Sequence, residues 1–372
     1  MADLDTGQQT RLTRDGRNGH PQWSASGEWI AYYKDDKLWV VWVSTGQEIP
    51  ISEVPVQEFA WSPTEDQLAY FSLSLGLLMW EPGRRDSKMI LDPKEGFINH
   101  LAWDFTGGRL AWECENGGER HLQVFSMGKA ATTLFTAEGM NRVPRLAGWS
   151  IDDQWLLAWI GPASALAQAD GLPLCLIPAT GGPPRCLEQK MLLYADWLSW
   201  SPVGQLAFIS GGGRETWVNK GLAIVDPASL TVRQLIDPAE QAPIQPAFSP
   251  DGKYLAYSAG PPTPVEAAYA QRDTALAQRH IHVIDLSSGQ RRQLTNDDHF
   301  RDERPLWSYD GRHILFVRLG EQGTSLWLMD AGGSHLRPVV SELTPKPDPM
   351  GEYGHVNWQA LWDWWRPSLK IR

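Results

Sequence analysis

The sequence predicts an all-β protein built as a ring of similar small sheets, and three observations lead to this fold class. One pattern recurs seven times along the 372 residues. The chain holds 34 glycines, which suit tight turns, and 20 tryptophans, which are more frequent in short strands than in loops. Forty-two per cent of the residues are apolar and 21% are charged, as in an ordinary folded globular chain.

Each copy of the pattern begins with an aromatic residue and a short turn. An apolar residue follows, then in most copies a small residue, and then a second aromatic residue. In the first copy the turn ends at Gly27, and Ile30-Ala31-Tyr32 follow. The leading aromatics are 38 to 59 residues apart. They are Trp23, Trp61, Trp103, Trp149, Trp200, Phe248 and Trp307.

The pattern predicts two antiparallel strands joined by a tight turn, in which Ser and Asp bond the turn backbone and Gly supplies a positive φ. A third apolar run follows, such as residues 38–42, and then a fourth run, such as residues 291–294. A lone four-stranded sheet would expose both faces, whereas stacking sheets around an axis buries them. Four short strands in each unit of about 40–50 residues therefore predict the blades of a β-propeller.

The sixth copy resembles the WD-repeat-like units of TolB-type β-propellers and reads Phe248-Ser249-Pro250-Asp251-Gly252-Lys253-Tyr254-Leu255-Ala256-Tyr257. The approach to the seventh copy resembles them too, from residues 293–295 through residues 302–305 to Trp307. The resemblance covers about residues 11–358, and three copies depart from it at the turn. It implies the fold but does not select a function, because such blades occur in binding proteins, lyases and the non-catalytic domains of serine peptidases.

Seven copies predict seven blades within a single domain over residues 1–372. Residues 11–13 read like the fourth strand of a unit, so we expect the chain ends to close the ring by pairing. Residues 356–359 read like a further first strand, which makes a partial eighth blade the alternative. Residues 356–372 are the expected closing segment.

The charge balance narrows the classes of partner. Lys and Arg number 33, and Asp and Glu number 44, which gives a net charge of −11. Such a surface repels phosphate backbones, so no nucleic-acid partner is expected. No run approaches 18 apolar residues, so no membrane span is expected. The N-terminus shows no leader pattern, so the expected location is the cytoplasm if it is native, and the periplasm or cell exterior if a leader was removed.

The cysteines are too few for a disulfide scaffold or a Cys-rich zinc site. They are Cys114, Cys175 and Cys186. Cys175 and Cys186 flank the turn at residues 179–182 symmetrically, so they are expected to face each other across a hairpin. Two reduced thiols are the favoured state, and a disulfide is the alternative.

Loop lengths differ between the two faces of the predicted ring. In a four-stranded meander the first and third turns share one face, which we call the short-turn face because these turns are short here. The remaining connections lie on the opposite, loop-rich face and include residues 160–172, 211–221, 260–279, 296–304 and 341–354. Long loops on a rigid scaffold commonly carry binding residues, so the loop-rich face is the predicted binding surface.

The largest internal insert is predicted to form a short helix near residues 263–279. Thr263-Pro264-Val265-Glu266 has the capping residue, the proline and the acidic residue typical of a helix start. The predicted partner-binding residues on this insert and the next loop are Val265, Tyr269, Leu276 and Asp302.

The residue three places before each leading aromatic is repeat-equivalent, so its side chain should enter the channel at a similar depth. The polar members are predicted to bind a polar ligand or peptide at the channel mouth, with solvated channel lining as the alternative. They are His20, Glu58, His100, Gln245, Arg304 and His355, the last preceding Trp358. No metal and no cofactor is expected.

No complete catalytic constellation is visible, since the chain lacks both a Gly-x-Ser-x-Gly elbow and a phosphate loop. The predicted function is a non-catalytic scaffold that recognises a protein or peptide through the loop-rich face and channel mouth. One alternative is a carbohydrate-active lyase or hydrolase that uses the mouth histidines, with or without a metal. Another is a structural subunit of a larger complex, with the tryptophans at residues 362–365 buried against a neighbour.

Overall fold

The computed structural model describes residues 1–4, 6–14, 18–344, 351 and 353–365. It contains seven sheets, each formed by four consecutive antiparallel strands, which we number blades 1 to 7 in chain order. The prediction of an all-β, seven-bladed architecture is confirmed. An eighth sheet is absent from the described residues.

The strands of blades 1 to 4 are Asn18–Trp23, Trp29–Lys34, Lys37–Trp42, Gln47–Pro55; Glu58–Trp61, Leu68–Ser72, Gly76–Trp80, Lys88–Leu91; Phe97–Trp103, Arg109–Asn116, Glu119–Ser126, Thr132–Thr136; and Val143–Trp149, Trp155–Gly161, Leu172–Pro178, Arg185–Met191. Those of blades 5 to 7 are Leu198–Trp200, Leu206–Ser210, Gly221–Val225, Val232–Ile236; Ala242–Phe248, Tyr254–Gly260, His280–Asp285, Arg291–Gln293; and Arg301–Trp307, His313–Gly320, Gly323–Asp330, Arg337–Thr344. The α-helices are Ala165–Ala169 and Arg272–Ala277, and the 3-10 helices are Pro93–Glu95, Gly139–Asn141, Ala195–Trp197, Val265–Ala267 and Trp358–Ala360.

The turn between the first two strands of blade 6 shows why the repeat needs its residue types. The Ser249 hydroxyl and Asp251 Oδ1 lie 2.7 Å apart, and the Tyr254 N–H donates to Ser249 Oγ at 3.0 Å. Gly252 donates its N–H to the Ser249 carbonyl at 2.9 Å and has a φ of +71°. Glycine adopts this φ without steric cost, so the turn closes tightly. Blade 7 repeats the arrangement at residues 308–311.

The apolar core is divided into clusters that lie between neighbouring blades. Six clusters join the six consecutive pairs of blades. The second strand of the first six blades carries a fully buried alanine, namely Ala31, Ala69, Ala111, Ala158, Ala207 and Ala256. A small side chain between two large ones lets the neighbouring sheet approach closely, so the repeated pattern records blade-to-blade packing.

Four leading tryptophans also tie their blade to the preceding one. Each donates its indole N–H to a backbone carbonyl at 3.0–3.1 Å. The donor–acceptor pairs are Trp61 with Gln22, Trp103 with Ala60, Trp149 with Ala102, and Trp307 with Ala247. Because an indole has one polar hydrogen, these rings have only carbon surface left for further contacts.

Among the described residues the chain ends do not pair as strands, so the predicted mode of closure is not seen. Residues 11–13 form no strand, and the fourth strand of blade 7 is its own Arg337–Thr344. Residues 356–359 form no first strand either, because Trp358–Ala360 is a 3-10 helix. Pairing of the termini is therefore not seen among the described residues, since the last sheet is already complete without the N-terminus.

The C-terminal residues contact both blade 7 and blade 1 instead. Val356, Trp358 and Trp362 pack into the apolar cluster of blade 7. Asp363 Oδ2 accepts the backbone N–H of Trp23 in blade 1 at 2.9 Å. We call residues 356–365 the C-terminal wedge, since they contact blade 7 on one side and blade 1 on the other.

The expected hairpin between the cysteines is present, but their expected state is wrong. Cys175 and Cys186 are direct partners on adjacent strands of blade 4 and form a disulfide. Directly opposed residues have Cβ atoms about 4.5–5.5 Å apart, so their sulfurs are within reach of each other. Cys114 is a free, buried thiol. In the part of the chain that is described, no helix combines the length and apolar character needed to cross a bilayer.

Candidate functional site

The positions three residues before the leading aromatics lie at a recurring backbone irregularity. His20, His100, Gln245 and Arg304 have φ values from +51° to +57°. The pairing of the first two strands changes register at or opposite each of them. A non-glycine residue in this region costs on the order of 1–3 kcal/mol, so surrounding contacts must enforce it. These irregularities are β-bulges, and a β-bulge points a side chain in a direction that the regular alternation of the strand would not give it.

Polar side chains satisfy backbone N–H groups at these irregularities in the next blade. The N–H of Arg304 donates to Gln245 Oε1 at 2.9 Å. In blade 4 the N–H of Leu146 donates to Glu113 Oε1 at 2.6 Å. These polar residues therefore connect neighbouring blades, which is a structural task independent of any ligand.

Four polar residues and a tyrosine form the first group at the inner end of the channel, which we call the Asp196 cluster. Asp196 accepts from Gln245 Nε2 at 2.8 Å, and its oxygens lie 3.1 Å from His355 Nε2 and 3.4 Å from Arg304 Nη1. His355 stacks on Tyr194 with ring centroids 3.6 Å apart. Burial alone would raise the pKa of Asp196, but the nearby His355 and Arg304 outweigh it and hold that pKa at about 2. Asp196 is therefore an anion at neutral pH.

A second group, the Glu113 cluster, joins blades 2, 3 and 4. His100 Nδ1 lies 3.0 Å from Glu113 Oε1, and Arg145 Nη1 lies 3.5 Å from Glu113 Oε2. The hydrogen bond with Glu113 raises the pKa of His100. Burial raises the pKa of Glu58, which lies near His100 and Glu113. Glu58 and His100 thus belong to a different cluster from Gln245, Arg304 and His355, so the predicted mouth residues do not form one site.

A cavity of about 1210 Å³ occupies the axial channel. Its inner end is lined by His20, Asp196, Gln245 and Arg304. Its outer end is lined by the first turns of all seven blades, where Phe105, Val203 and Tyr309 are exposed. Residues 160–172, 211–221 and 260–279 of the loop-rich face contribute nothing to the lining. The cavity therefore opens on the short-turn face.

The cavity wall carries many aromatic rings and prolines. Its large rings are Trp23, Trp61, Phe105, Trp200, Phe248, Trp307, Tyr309, Trp364 and Trp365. Its prolines are Pro21, Pro63, Pro202, Pro246, Pro250 and Pro305. An apolar concavity with a few polar groups at one end is typical of a binding pocket, in which the polar groups set the orientation of the ligand.

The C-terminal segment at residues 353–355 contacts the blade 5 loop on the loop-rich face. The Tyr353 carbonyl accepts the N–H of Thr216 from blade 5 at 3.1 Å, and the Arg214 guanidinium lies 5.3 Å from the centre of the Tyr353 ring. Two residues later, His355 joins the Asp196 cluster. Residues 353–355 therefore connect the end of the chain to blade 5 beside the inner end of the cavity.

The predicted partner-binding residues divide into two accessible and two buried ones. Val265 and Tyr269 are 67% and 77% exposed. Leu276 is buried in an apolar cluster with the blade 5 loop, and Asp302 is fully buried with both oxygens 2.8 Å from Arg318 nitrogens. Leu276 and Asp302 were therefore wrongly predicted as contact residues, because they stabilise the insert and blade 7 from within.

The three histidines predicted at the channel mouth are dispersed rather than gathered. His20 packs edge-on against Tyr33, His100 bonds Glu113, and His355 stacks on Tyr194. Within the described ranges, no group of three or more His, Cys, Asp or Glu side chains is placed to hold a metal ion.

Asp196→Asn is expected to reduce the acid sensitivity of the fold. The pKa of Asp196 is about 2 in the folded chain and 3.8 as an ordinary aspartate. Its ionisation therefore contributes stability that is present above about pH 4 and lost as the pH falls through 2. The full contribution is roughly 2 kcal/mol.

Urea unfolding at pH 5.5 and pH 2.5 measures this effect. Between these two pH values the free energy of unfolding of the wild type should fall by roughly 1.5 kcal/mol more than that of the variant. This difference is smaller than the full contribution because some Asp196 is still ionised at pH 2.5. Equal losses in the two proteins would contradict the assignment.

Comparisons with known proteins identify the fold. No family model and no curated protein matches the chain. Dipeptidyl peptidase 4 from Porphyromonas gingivalis is similar in structure, with a TM-score of 0.62, 10% identity, and coverage of 86% of this chain and 51% of that one. An oligogalacturonate lyase in complex with manganese has a TM-score of 0.54, 15% identity, and coverage of 88% and 94%. TolB from Acinetobacter baumannii has a TM-score of 0.41, 14% identity, and coverage of 87% and 79%.

At such identities a structural likeness shows the fold alone. Seven consecutive four-stranded meanders agree with the repeat pattern found in the sequence. The chain is therefore a seven-bladed β-propeller.

Proposed function

We propose that the protein is a non-catalytic binding protein that receives a segment of a protein partner in the axial cavity. The observation that carries this proposal is the cavity of about 1210 Å³, which opens among the first turns of all seven blades. Small-molecule sites usually measure about 300–1,000 Å³. A volume above that range suits a peptide segment of several residues.

The polar groups at the inner end support binding rather than catalysis. Asp196 is engaged with Gln245, Arg304 and His355. A carboxylate with a pKa of about 2 is a poor general base at neutral pH, where an effective base has a pKa near the working pH. Engaged polar groups still orient a bound segment, because their geometry is set before binding.

The chain offers matched variants that test which face the partner uses. Val203 and Tyr309 on the cavity rim are 77% and 56% exposed, and Val265 and Tyr269 on the loop-rich face are 67% and 77% exposed. The double variant Val203→Ser/Tyr309→Ala is expected to weaken partner capture by about ten-fold, since truncating an anchoring aromatic costs on the order of 2 kcal/mol. The control Val265→Ser/Tyr269→Ala should leave capture unchanged.

Affinity capture from native lysate, quantified by mass spectrometry, is the measurement. Loss of the partner only in the loop-rich variant would move the site to that face, as the sequence predicts. No loss in either variant would contradict both surfaces. Release of shortened or unsaturated oligosaccharides from a pectic substrate by the wild type would replace the proposal with the carbohydrate-active alternative.

The disulfide supports a location outside the reducing cytoplasm. Structural disulfides persist in the periplasm and outside the cell, whereas cytosolic thiols are kept reduced. The Cys175–Cys186 bond therefore favours the second of the two locations expected from the sequence. Recovery of the native protein in the periplasmic or secreted fraction, with one free thiol per chain under denaturing conditions, is the expected result.

A further inference from the structure

We infer that the segment received by the axial cavity is basic, with Lys or Arg side chains that enter from the short-turn face. This inference rests on the proposed function and names the chemistry of its partner. Three features of the cavity lead to it: the charge of its wall, the charge of its rim, and the tryptophan ring faces that are left for contact with a ligand.

The wall of the cavity carries an excess of negative charge. Its carboxylates are Asp152, Asp196 and Asp363, and Arg304 is the one Lys or Arg among the described lining residues. Burial lowers the pKa of His20, so this imidazole is neutral at pH 7 and adds no positive charge. A cation entering the cavity therefore meets net attraction, and an anion meets net repulsion.

The rim has the same sign as the wall. The first turns of the blades hold eight Asp or Glu residues and three Lys or Arg residues, at positions 24–28, 62–66, 104–109, 150–153, 201–205, 249–253 and 308–312. The excess of five negative charges is nearly half of the net charge of −11 of the whole chain. A cleft lined by one sign of charge focuses the field and concentrates ligands of the opposite sign.

Three of the six tryptophans of the wall offer ring surface rather than hydrogen-bond donors. Trp61 and Trp307 already donate their N–H groups to backbone carbonyls at 3.1 and 3.0 Å, and Trp365 donates to the Ala25 carbonyl at 3.4 Å. An occupied indole cannot donate to an acidic ligand, but its face attracts an ammonium or guanidinium group. Indole faces and carboxylates in one concavity are therefore complementary to Lys and Arg.

Three labelled peptides of one length test the inference by fluorescence anisotropy. The first reads Gly-Pro-Arg-Gly-Arg-Pro-Gly, the second has citrulline in place of both arginines, and the third has glutamate there. Citrulline keeps the shape of arginine and removes its charge. The arginine peptide is expected to bind about ten-fold more tightly than the citrulline peptide at low salt, and this advantage should shrink as salt is added.

Charge-removing variants locate the interaction. Asp152→Asn keeps the Oδ1 atom that accepts from Gln154 and pairs with Ser150, and Asp363→Asn keeps an amide oxygen for the Trp23 N–H. Each is expected to weaken arginine-peptide binding by about three-fold. The control Glu188→Gln, on the exposed outer strand of blade 4, removes the same charge and should change nothing. Thermal unfolding of all the variants verifies that they are folded.

The outcomes separate this inference from the proposed function. If the citrulline or glutamate peptide binds as tightly as the arginine peptide, and Val203→Ser/Tyr309→Ala weakens that binding, the cavity is a peptide site and the basic partner is overturned. If no peptide binds and no partner is captured, both fail. The sequence after Trp365 includes three further basic residues, Arg366, Lys370 and Arg372, so their effect on peptide binding is measured as well. A chain ending at Trp365 is therefore titrated beside the full chain, and charge-selective binding by either supports the inference.

Discussion

Glu303→Ala is expected to lower the free energy of unfolding by about 3–5 kcal/mol, because it leaves two buried guanidinium groups without a counter-charge. Glu303 and Arg279 are almost completely inaccessible to solvent, and Arg301 is 5% exposed. Glu303 Oε1 accepts from Arg279 and from two nitrogens of Arg301, the latter at 2.6–2.7 Å. The indole of Trp358 donates to Glu303 Oε2 at 3.0 Å. The two arginines lower the pKa of Glu303 despite its burial, so the group is ionised at neutral pH.

Urea unfolding of the Glu303 variant tests this expectation. The control is Glu188→Ala, since Glu188 is exposed on the outer strand of blade 4 and should change stability by less than about 0.5 kcal/mol. The double variant Arg279→Ala/Glu303→Ala should cost less than the sum of the single variants, because one buried charge disappears with its partner. A loss below about 1 kcal/mol for Glu303→Ala would mean that the charges are not held in the interior.

This buried charge cluster also positions the inner end of the cavity. The Gly354 carbonyl accepts from Arg279 at 3.1 Å and from Arg301 at 2.6 Å. Arg279 also donates to the Thr216 hydroxyl in the blade 5 loop at 3.0 Å. His355 follows directly and contacts Asp196. The geometry of the Asp196 cluster therefore depends on charges in blades 6 and 7 that a ligand in the cavity does not touch.

The blade count was predictable because the packing between blades requires the same residue types each time. A fully buried alanine such as Ala207 and a tryptophan such as Trp307, bonded to the preceding blade, recur at the same place in the unit. The repeat therefore carries the constraint in most copies, with the alanine in six blades and the bonded tryptophan in four. The ends of the chain have no such repetition. Residues 11–13 resemble a fourth strand, but blade 7 supplies its own, so local similarity was misleading.

The candidate site was only half predictable, for a reason visible in blades 4 and 5. The repeat-equivalent positions there hold Leu146 and Trp197, which are apolar, and the residues just before them, Arg145 and Asp196, join the polar clusters. A 3-10 turn at Ala195–Trp197 moves the polar side chain by one residue. A search for polar residues beside an apolar member of the ring would have found both.

Loop length alone predicted the loop-rich face as the binding surface, whereas the cavity opens on the short-turn face. The long loops pack on one another and on the C-terminal segment, through contacts such as Arg214 with Tyr353 and Trp217 with the Ala268 carbonyl. Their length serves this packing. The short turns of all seven blades line the open end of the channel, and those of blades 1 to 4 bond their neighbours around it.

Trp358→Ala is expected to destabilise the protein by about 3–5 kcal/mol, the usual cost of deleting a fully buried tryptophan side chain. Trp358 is 1% exposed, packs with Leu315 and Val317 of blade 7, and donates its N–H to Glu303. It lies within the C-terminal wedge, which reaches blade 1 through the contact between Asp363 and Trp23. Its loss should therefore loosen the junction between blades 7 and 1 before the rest of the ring.

Urea unfolding measures the total cost, and hydrogen exchange shows where the structure loosens first. Amide protection should fall in the first strands of blades 1 and 7 while blades 3 and 4 remain protected, because local openings need only the contacts they break. The control Trp365→Ala, at a wedge residue that is 38% exposed, should cost under about 1 kcal/mol.

Trp358→Phe separates packing from hydrogen bonding. It keeps much of the ring contact and leaves Glu303 without one of its donors, so it should cost about 1–3 kcal/mol. If Phe costs as much as Ala, the bond to Glu303 accounts for the effect and the apolar contact with blade 7 contributes little. If amide protection falls equally in all seven blades, the C-terminal wedge does not stabilise the junction between blades 7 and 1 alone. The ring then unfolds as one cooperative unit.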